Sequence, residues 1–304
     1  VIVIVCPGQG SQTPGFLSPW LENSDYLRLV EQYSEAAGLD LVKHGTESDQ
    51  DTIRDTAVAQ PLIVAAGLLT LRALADAGSP ATAPGIAGHS VGEITAAAGS
   101  GILTETDAMR FVAARATAMA AAAATTPTGM SAVLGGDVDA LLTRLEDLGL
   151  QPANFNGGGQ IVVAGALDAL AQLAAEPIRG SRVIPLQVAG AFHTRYMEPA
   201  RESLASVAAE LTASDPELRL WTNNDGSTVN TGARFVELLV EQVASPVRWD
   251  LCMESFAADD VTGIVEVAPA GALTGLAKRG LKGTPAVAIK TPADIPAALE
   301  LLSA

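Results

Sequence analysis

A serine set between two glycines, in Gly88-His89-Ser90-Val91-Gly92, has the spacing of a sharp strand-to-helix turn that exposes a nucleophile. A hydroxyl at neutral pH is a poor nucleophile, so it needs both an exposed position and a base. Glycines at both ends admit the tight turn, and the helix that follows aims its first N–H groups at the site. The chain has 3 histidines from which to draw the base. His44 lies in the polar run Lys43-His44-Gly45-Thr46 and is expected to be solvated. His89 adjoins the serine in a tight turn, where neighbouring side chains point apart, so it is expected to pack beside the turn. His193, in Ala189-Gly190-Ala191-Phe192-His193-Thr194, follows an apolar strand pattern. From a strand-to-loop exit an imidazole reaches a site on a sheet edge, and its pKa suits proton transfer near neutrality. A histidine satisfied within the structure is the other reading of that position.

A cation on an apolar face adds a third candidate. On a helix beginning near Asp107, Arg115 shares a stripe with Ala108, Phe111 and Met119. A guanidinium directed into the fold needs an anion, and no acidic residue stands three or four positions away to supply one. A substrate carboxylate would fill that role through a bidentate pair. A remote Asp or Glu, or a stem that carries the charged head back to water, would serve as well. The loop Pro7-Gly8-Gln9-Gly10-Ser11-Gln12 begins like a dinucleotide fingerprint, but Thr13 stands where the third glycine belongs. Its main-chain N–H groups suit a developing oxyanion instead.

The elements that must hold these residues alternate. Val1 to Cys6 is a β-branched run typical of a strand covered on both faces. Helical patterning covers Pro61 to Ala77, and a Pro/Gly-rich connection leads to the short strand Ile86-Ala87. Glu93 to Ala98 is a helix, and Thr104-x-x-Asp107 starts another that runs to about Ala124. Strand Met130–Leu134, helix Val138–Leu148, strands Pro152–Phe155 and Gln160–Ala164, helix Leu167–Ala175 and strand Arg182–Val188 then follow. That β-α-β-β-α-β order is the split motif of ferredoxin-like domains. Strand Leu218–Thr222, helices Ala233–Val243 and Val247–Phe256, strand Gly263–Val267, helix Leu273–Arg279, strand Ala286–Lys290 and a terminal helix complete the pattern. The expectation is an α/β fold: a large domain of residues 1–126 and 190–304 around a mainly parallel sheet, with a ferredoxin-like insert at 127–189.

Composition narrows the class. The chain of 304 residues is 48% hydrophobic, 17% charged and only 4% aromatic, with a formal net charge of −16. Such a chain folds around Ala, Val, Leu and Ile. Its net negative charge speaks against nucleic acid, which requires clustered cations, while leaving room for a local basic patch toward an acidic partner. Cys6 and Cys252 are too few for a disulfide framework and read as buried thiols, and nothing marks a metal site. No segment reads as a membrane span or a signal peptide, so a cytoplasmic protein is expected.

Several motifs in fixed order carry a family resemblance over essentially the whole chain. They are Pro7-Gly8-Gln9-Gly10-Ser11-Gln12, Gly88-His89-Ser90-Val91-Gly92-Glu93, Arg115, Gly129-Met130-Ser131-Ala132-Val133, Gly190-Ala191-Phe192-His193 and Pro246-Val247-Arg248-Trp249. The chain resembles malonyl-CoA:acyl-carrier-protein transacylases of bacterial fatty-acid and polyketide synthesis. The resemblance implies an α/β-hydrolase-like domain with a ferredoxin-like insert. It implies Ser90 as the acylated nucleophile, His193 as its base and the main-chain N–H groups of Gln9 and Val91 as the oxyanion hole. Gln242 would orient the histidine by its main-chain carbonyl, in place of the acid of a Ser-His-Asp triad. Arg115 would hold the malonyl carboxylate, with Phe192, Met119, Met130 and Asn156 as further substrate-binding residues. Phe192 matches the malonyl-selective form of its motif. Ser245 stands where the family has Asn, and Val91 where Leu is commoner. The resemblance further implies malonyl-CoA and acyl carrier protein as partners, no metal or redox cofactor, and a monomer. Lys278, Arg279, Arg179, Arg182 and Arg195 are candidates for docking an acidic carrier. Rival readings are a serine acyl hydrolase, a carrier-docking module without catalysis, and an acyltransferase for a branched extender such as methylmalonyl-CoA.

Overall fold

The first strand, β1 (Ile2–Cys6), lies at the centre of a five-stranded sheet, because its alternating side chains are wanted on both faces. Ile4 and Cys6 join one apolar cluster with the helix Thr56–Asp76, while Val3 and Val5 join a second with Trp221, Trp249 and Phe256. Strands β2 (Gly85–Gly88), β7 (Leu220–Trp221), β9 (Gly263–Glu266) and β10 (Ala286–Ala288) complete it in the order β10-β9-β1-β2-β7, all parallel. The computed structural model describes residues 1–78, 85–188 and 190–303. The expected Pro/Gly-rich connection at 79–84, and Ala189 at the expected domain boundary, lie outside the described residues.

A second sheet stands over the carboxyl end of the first. It contains β3 (Thr128–Gly135), β4 (Gln151–Gly157), β5 (Gln160–Ala166) and β6 (Ser181–Pro185), linked by helices Val138–Leu148 and Leu167–Ala175. Their antiparallel order β6-β3-β5-β4 is that of a ferredoxin-like sheet, with its own core of Val133, Leu141, Leu145, Val163 and Leu173. A fifth strand comes from outside residues 127–189: β8 (Val247–Arg248) pairs parallel with Asn154 and Phe155 of β4. The sequence expectation of a helix from Val247 is therefore corrected. Two extended residues precede the helix Trp249–Ala258, since β4 offers them a ladder.

Other boundaries also shift. The Pro61 helix starts at Thr56, where the Asp55 side chain accepts the Ala57 N–H at 2.8 Å, and it carries Pro61 within it. The sequence reading saw no segment of membrane-span length; this helix is long and apolar enough for one, and 78% of its apolar window is buried inside the protein, as in a core helix. Strand β6 stops at Pro185 instead of Val188, and the helix expected to Val243 ends at Glu241 before a 3-10 turn, Gln242–Ala244. Short helices between Ser18 and Arg54, and the helix Glu198–Ala208, had no counterpart in the sequence reading.

Candidate active site

Ser90 occupies the turn between β2 and the helix Gly92–Gly99, at φ 54°, a left-handed conformation that costs a side-chain-bearing residue free energy and gathers at functional sites. Close approach dictates the glycines on either side. A Cβ on Gly88 would stand 2.2 Å from the Glu93 nitrogen, and one on Gly92 would stand 2.0 Å from the Cys6 carbonyl oxygen of β1. The turn is thus pressed against the central strand with its serine facing out.

His193 reaches that serine. Its Nε2 lies 2.7 Å from Ser90 Oγ, and its Nδ1 lies 2.8 Å from the Gln242 main-chain oxygen. A carbonyl oxygen only accepts, so Nδ1 carries the hydrogen and Nε2 of the neutral ring accepts from the serine hydroxyl. The His193 N–H donates to Val243 O at 3.0 Å, and Ser245 N–H also donates to Gln242 O at 3.2 Å. Both the loop carrying the histidine and the residue replacing the family's Asn thus converge on one 3-10 turn. Burial, and next the Arg115 charge, push the His193 pKa down to about 3, so the imidazole is neutral at physiological pH.

Arg115 is 1% exposed on the helix Glu105–Thr125. Its guanidinium donates to Gln60 Oε1 at 2.6 Å and to Gln242 Oε1 at 2.8 Å, and it approaches Ser90 Oγ at 3.5 Å. Burial lowers its pKa to about 10, which leaves it a cation at neutrality. Its direct partners are neutral amides. The remote acid lies one side chain further on. Gln242 Nε2 donates to Glu93 Oε2 at 2.5 Å, while Glu93 Oε1 accepts from Thr222 Oγ1 at 2.9 Å and Asn223 N–H at 2.7 Å. Glu93 is 1% exposed, and burial pushes its pKa up to about 7 against the pull of those donors.

A cleft of about 230 Å³ opens over the serine between the two sheets, lined among others by Gln9, Met119, Met130, Asn156, Phe192 and His193. Of the candidate catalytic and substrate-binding residues, Gln9, Ser90, Met119, Met130, Asn156, Phe192 and His193 line this cleft, and Arg115, Val91 and Gln242 are buried behind it. Neither Gln9 N–H nor Val91 N–H donates a hydrogen bond among the described residues, so both remain free for an oxygen at the turn. His89 packs beside the turn as expected, its Nε2 2.9 Å from Asn156 Oδ1 and its ring edge-on to Trp249. His44 is half-buried, with Nδ1 2.9 Å from Ser48 Oγ, and so only in part solvated. Among the described residues no cluster of His, Cys, Asp or Glu could hold a metal. Gln60, Glu93, Thr222 and Asn223 escaped the sequence reading. Glu93 carried a signal of the same kind as Arg115, a lone charge in the small apolar run Gly92–Gly99.

Comparison with known proteins adds family evidence. The model of the acyl transferase domain matches residues 3–296. A malonyl CoA-acyl carrier protein transacylase of Mycobacterium bovis is 50% identical over 299 residues, covering 97% of this chain and 98% of the relative. The crystal structure of MCAT from Mycobacterium tuberculosis superposes with a TM-score of 0.95 at 50% identity, covering 100% of this chain and 99% of that one. A malonyl-transacylase solved in complex with a type II polyketide-synthase acyl-carrier protein superposes at 0.92 with 28% identity, over 99% of each chain.

Proposed function

The chain belongs to the acyl transferase domain family, and from that premise we propose how its own residues move an acyl group. The activity is that of a malonyl-CoA:acyl-carrier-protein transacylase, a transferase of the α/β class with a parallel and a mixed sheet. The observation that carries the mechanism is the 2.7 Å contact of Ser90 Oγ with a neutral His193, beside a buried guanidinium.

Malonyl-CoA enters the cleft and its free carboxylate pairs with Arg115. His193 Nε2 takes the Ser90 proton as Oγ attacks the thioester carbon. The oxyanion rests on the N–H groups of Gln9 and Val91, and Gln242 O steadies the imidazolium through Nδ1–H. Collapse breaks the carbon–sulfur bond, and CoA leaves as a thiol with the proton from His193. The carrier's phosphopantetheine thiol then gives its proton to His193, attacks the Ser90 ester and departs as the malonyl thioester, while Ser90 recovers its proton. Each step is proton or acyl transfer between named groups, so the proposal calls on no metal or redox cofactor. One chain supplies every group, which suits a monomer, and the CoA and carrier thioesters suit a cytoplasmic setting. Met119, Met130, Asn156 and Phe192 bound the acyl group, Phe192 crowding out an α-methyl branch.

The carrier's approach is read from charge. Arg279 donates to Gln160 Oε1 at 3.2 Å, and Gln160 lines the cleft. Arg279 lies beside the Gly158 turn and Arg179 beside Gly136, and with Lys278 and Arg182 we read them as one cationic rim. None of the four cations forms an ion pair among the described residues, unlike most arginines of this acidic chain. Arg195 bonds Gly149 O at the opposite end of β4, about 20 Å away by strand rise, and is left out of this rim. Arg279→Glu is expected to raise KM for the carrier and leave KM for malonyl-CoA unchanged; equal effects on both count against the rim.

Incubation with malonyl-CoA alone tests the transferase reading. A burst of CoA equal to the enzyme, then a stall until carrier is added, is expected. Rapid continuous release without acceptor would instead support a serine hydrolase.

A further inference from the structure

We propose that Glu93 is a positioning residue for malonyl recognition, acting through Gln242 as a counter-charge held one amide away from Arg115. This inference rests on Arg115 being the partner of the malonyl carboxylate.

The geometry leaves the Gln242 amide one good orientation. An ionised carboxylate only accepts and a guanidinium only donates. The Gln242 NH2 therefore faces Glu93 at 2.5 Å, and its oxygen faces Arg115 at 2.8 Å. A flipped amide would set donor against donor and acceptor against acceptor. The NH2 also donates to Ser90 O at 3.1 Å, and the same residue's main-chain oxygen holds His193. One buried carboxylate thus fixes, through one glutamine side chain, the amide oxygen that faces the cation, while the main-chain oxygen of that residue holds His193 independently. The other groups facing Glu93 are Thr222 and Asn223, and the neutral thiol of Cys252, whose Sγ lies 3.3 Å from Thr222 O.

The spacing has a consequence for substrate. A buried guanidinium without a counter-charge is costly, whereas one clamped directly by a carboxylate is already satisfied and competes with an incoming anion. An intervening amide compensates the charge and still leaves Arg115 able to take the malonyl carboxylate. Moving the negative charge one side chain closer removes that ability, keeps the bonds to Thr222, Asn223 and Arg115, and gives up the one to Ser90 O. In the double variant Glu93→Gln/Gln242→Glu, the amide oxygen at 93 can accept from Thr222 and Asn223 and its NH2 can donate to the carboxylate at 242. That carboxylate would then pair with Arg115 directly.

The test is rapid-quench loading of Ser90, followed by intact mass at about pH 8, with malonyl-CoA and with acetyl-CoA, which lacks the free carboxylate. Wild type, Glu93→Gln, the double variant and Arg115→Ala are compared, each with a thermal melt. The double variant is expected to need at least about tenfold more malonyl-CoA for half-maximal loading, a shift of one decade in apparent affinity. Its ratio of malonyl to acetyl loading should fall about tenfold or more, whatever the change in acetyl loading taken alone. Glu93→Gln, which removes the charge but clamps nothing, should lower the maximal malonyl loading rate more than it raises KM. If Arg115→Ala loads malonyl as well as wild type, the reading of Arg115 fails. If Arg115→Ala loses malonyl selectively but the double variant loads it like wild type, the Glu93 inference is overturned. It is also overturned if either Glu93 variant loses malonyl and acetyl loading in parallel. Should the double variant not fold, the rate-against-KM split of Glu93→Gln decides alone.

Discussion

Two glutamates are fully buried at the carboxyl ends of the strands flanking β1, and their partners differ in kind. Glu266 closes β9, and its two oxygens accept the main-chain N–H groups of Leu273 at 2.9 Å and Thr274 at 2.8 Å. It caps the helix Ala272–Gly280, a use of carboxylate that any helix N-terminus favours. Glu93 stands in the first turn after β2 and bonds Gln242 and Thr222 by their side chains, together with one main-chain N–H. Those bonds lead on to the groups that carry Arg115 and His193. Burial of a charge therefore does not by itself mark function; what the charge holds does. The β2 end has the 193 and 242 segments and the cleft-facing side of the second sheet above it, and the open end of a parallel sheet is where such folds bind ligands.

The sharpest way to separate the two ends is His193→Ala. It should slow Ser90 loading by about 10²- to 10⁴-fold, the range for a positioned general base, while the melting temperature moves little by comparison. A loading rate within tenfold of wild type would remove the base from the β2 end. Glu266→Gln makes the opposite expectation. An amide satisfies only one of the two helix N–H groups, so about 1–3 kcal/mol of stability is lost, read as a lower melting temperature. The ratio of malonyl to acetyl loading should not change. A changed ratio would break the comparison, since it would tie the β9 end to recognition.

The smallest expected effect is a null in pH. The folded pKa of His193 is depressed to about 3, so its base form is fully present above that value and is lost only as pH falls through it. Acetyl loading should therefore hold its rate from about pH 7.5 to 5.5, where an ordinary imidazole would become about nine-tenths protonated. A tenfold fall across that window would mean that His193 titrates normally.

The fold was legible wherever one face or one motif decided an element. β1 could be read from its β-branched run, and the β-α-β-β-α-β order from turn residues and periodicity. β8 could not, because Val247-Arg248 runs without a break into the apolar pattern of Trp249, Cys252 and Phe256, and only the distant edge of β4 draws it out as strand. The helices Leu41–Thr46 and Gln50–Arg54 carry capping residues, Asp40 and Asp49, but too few turns to show a period, whereas Ser24–Ala37, capped by Asn23, is long enough to be read and escaped the sequence reading. Within the candidate site, Ser90 announced itself by spacing, His193 by the scarcity of histidines and Arg115 by a charge on an apolar stripe. Gln242 could come only from the family resemblance, since every residue has a main-chain carbonyl. Gln60 and Asn223 left no trace, because an amide buried by contacts far along the chain looks like any polar surface residue.

The account stands on Ser90 as the atom that carries the malonyl group. Intact-mass measurement of the wild-type protein after brief exposure to malonyl-CoA, beside Ser90→Ala treated identically, tests this most directly. One malonyl adduct per chain, discharged on adding the phosphopantetheinylated carrier and absent from Ser90→Ala, is the predicted result. An adduct retained in Ser90→Ala, or no adduct on a wild-type protein that still transfers malonyl to the carrier, would contradict it.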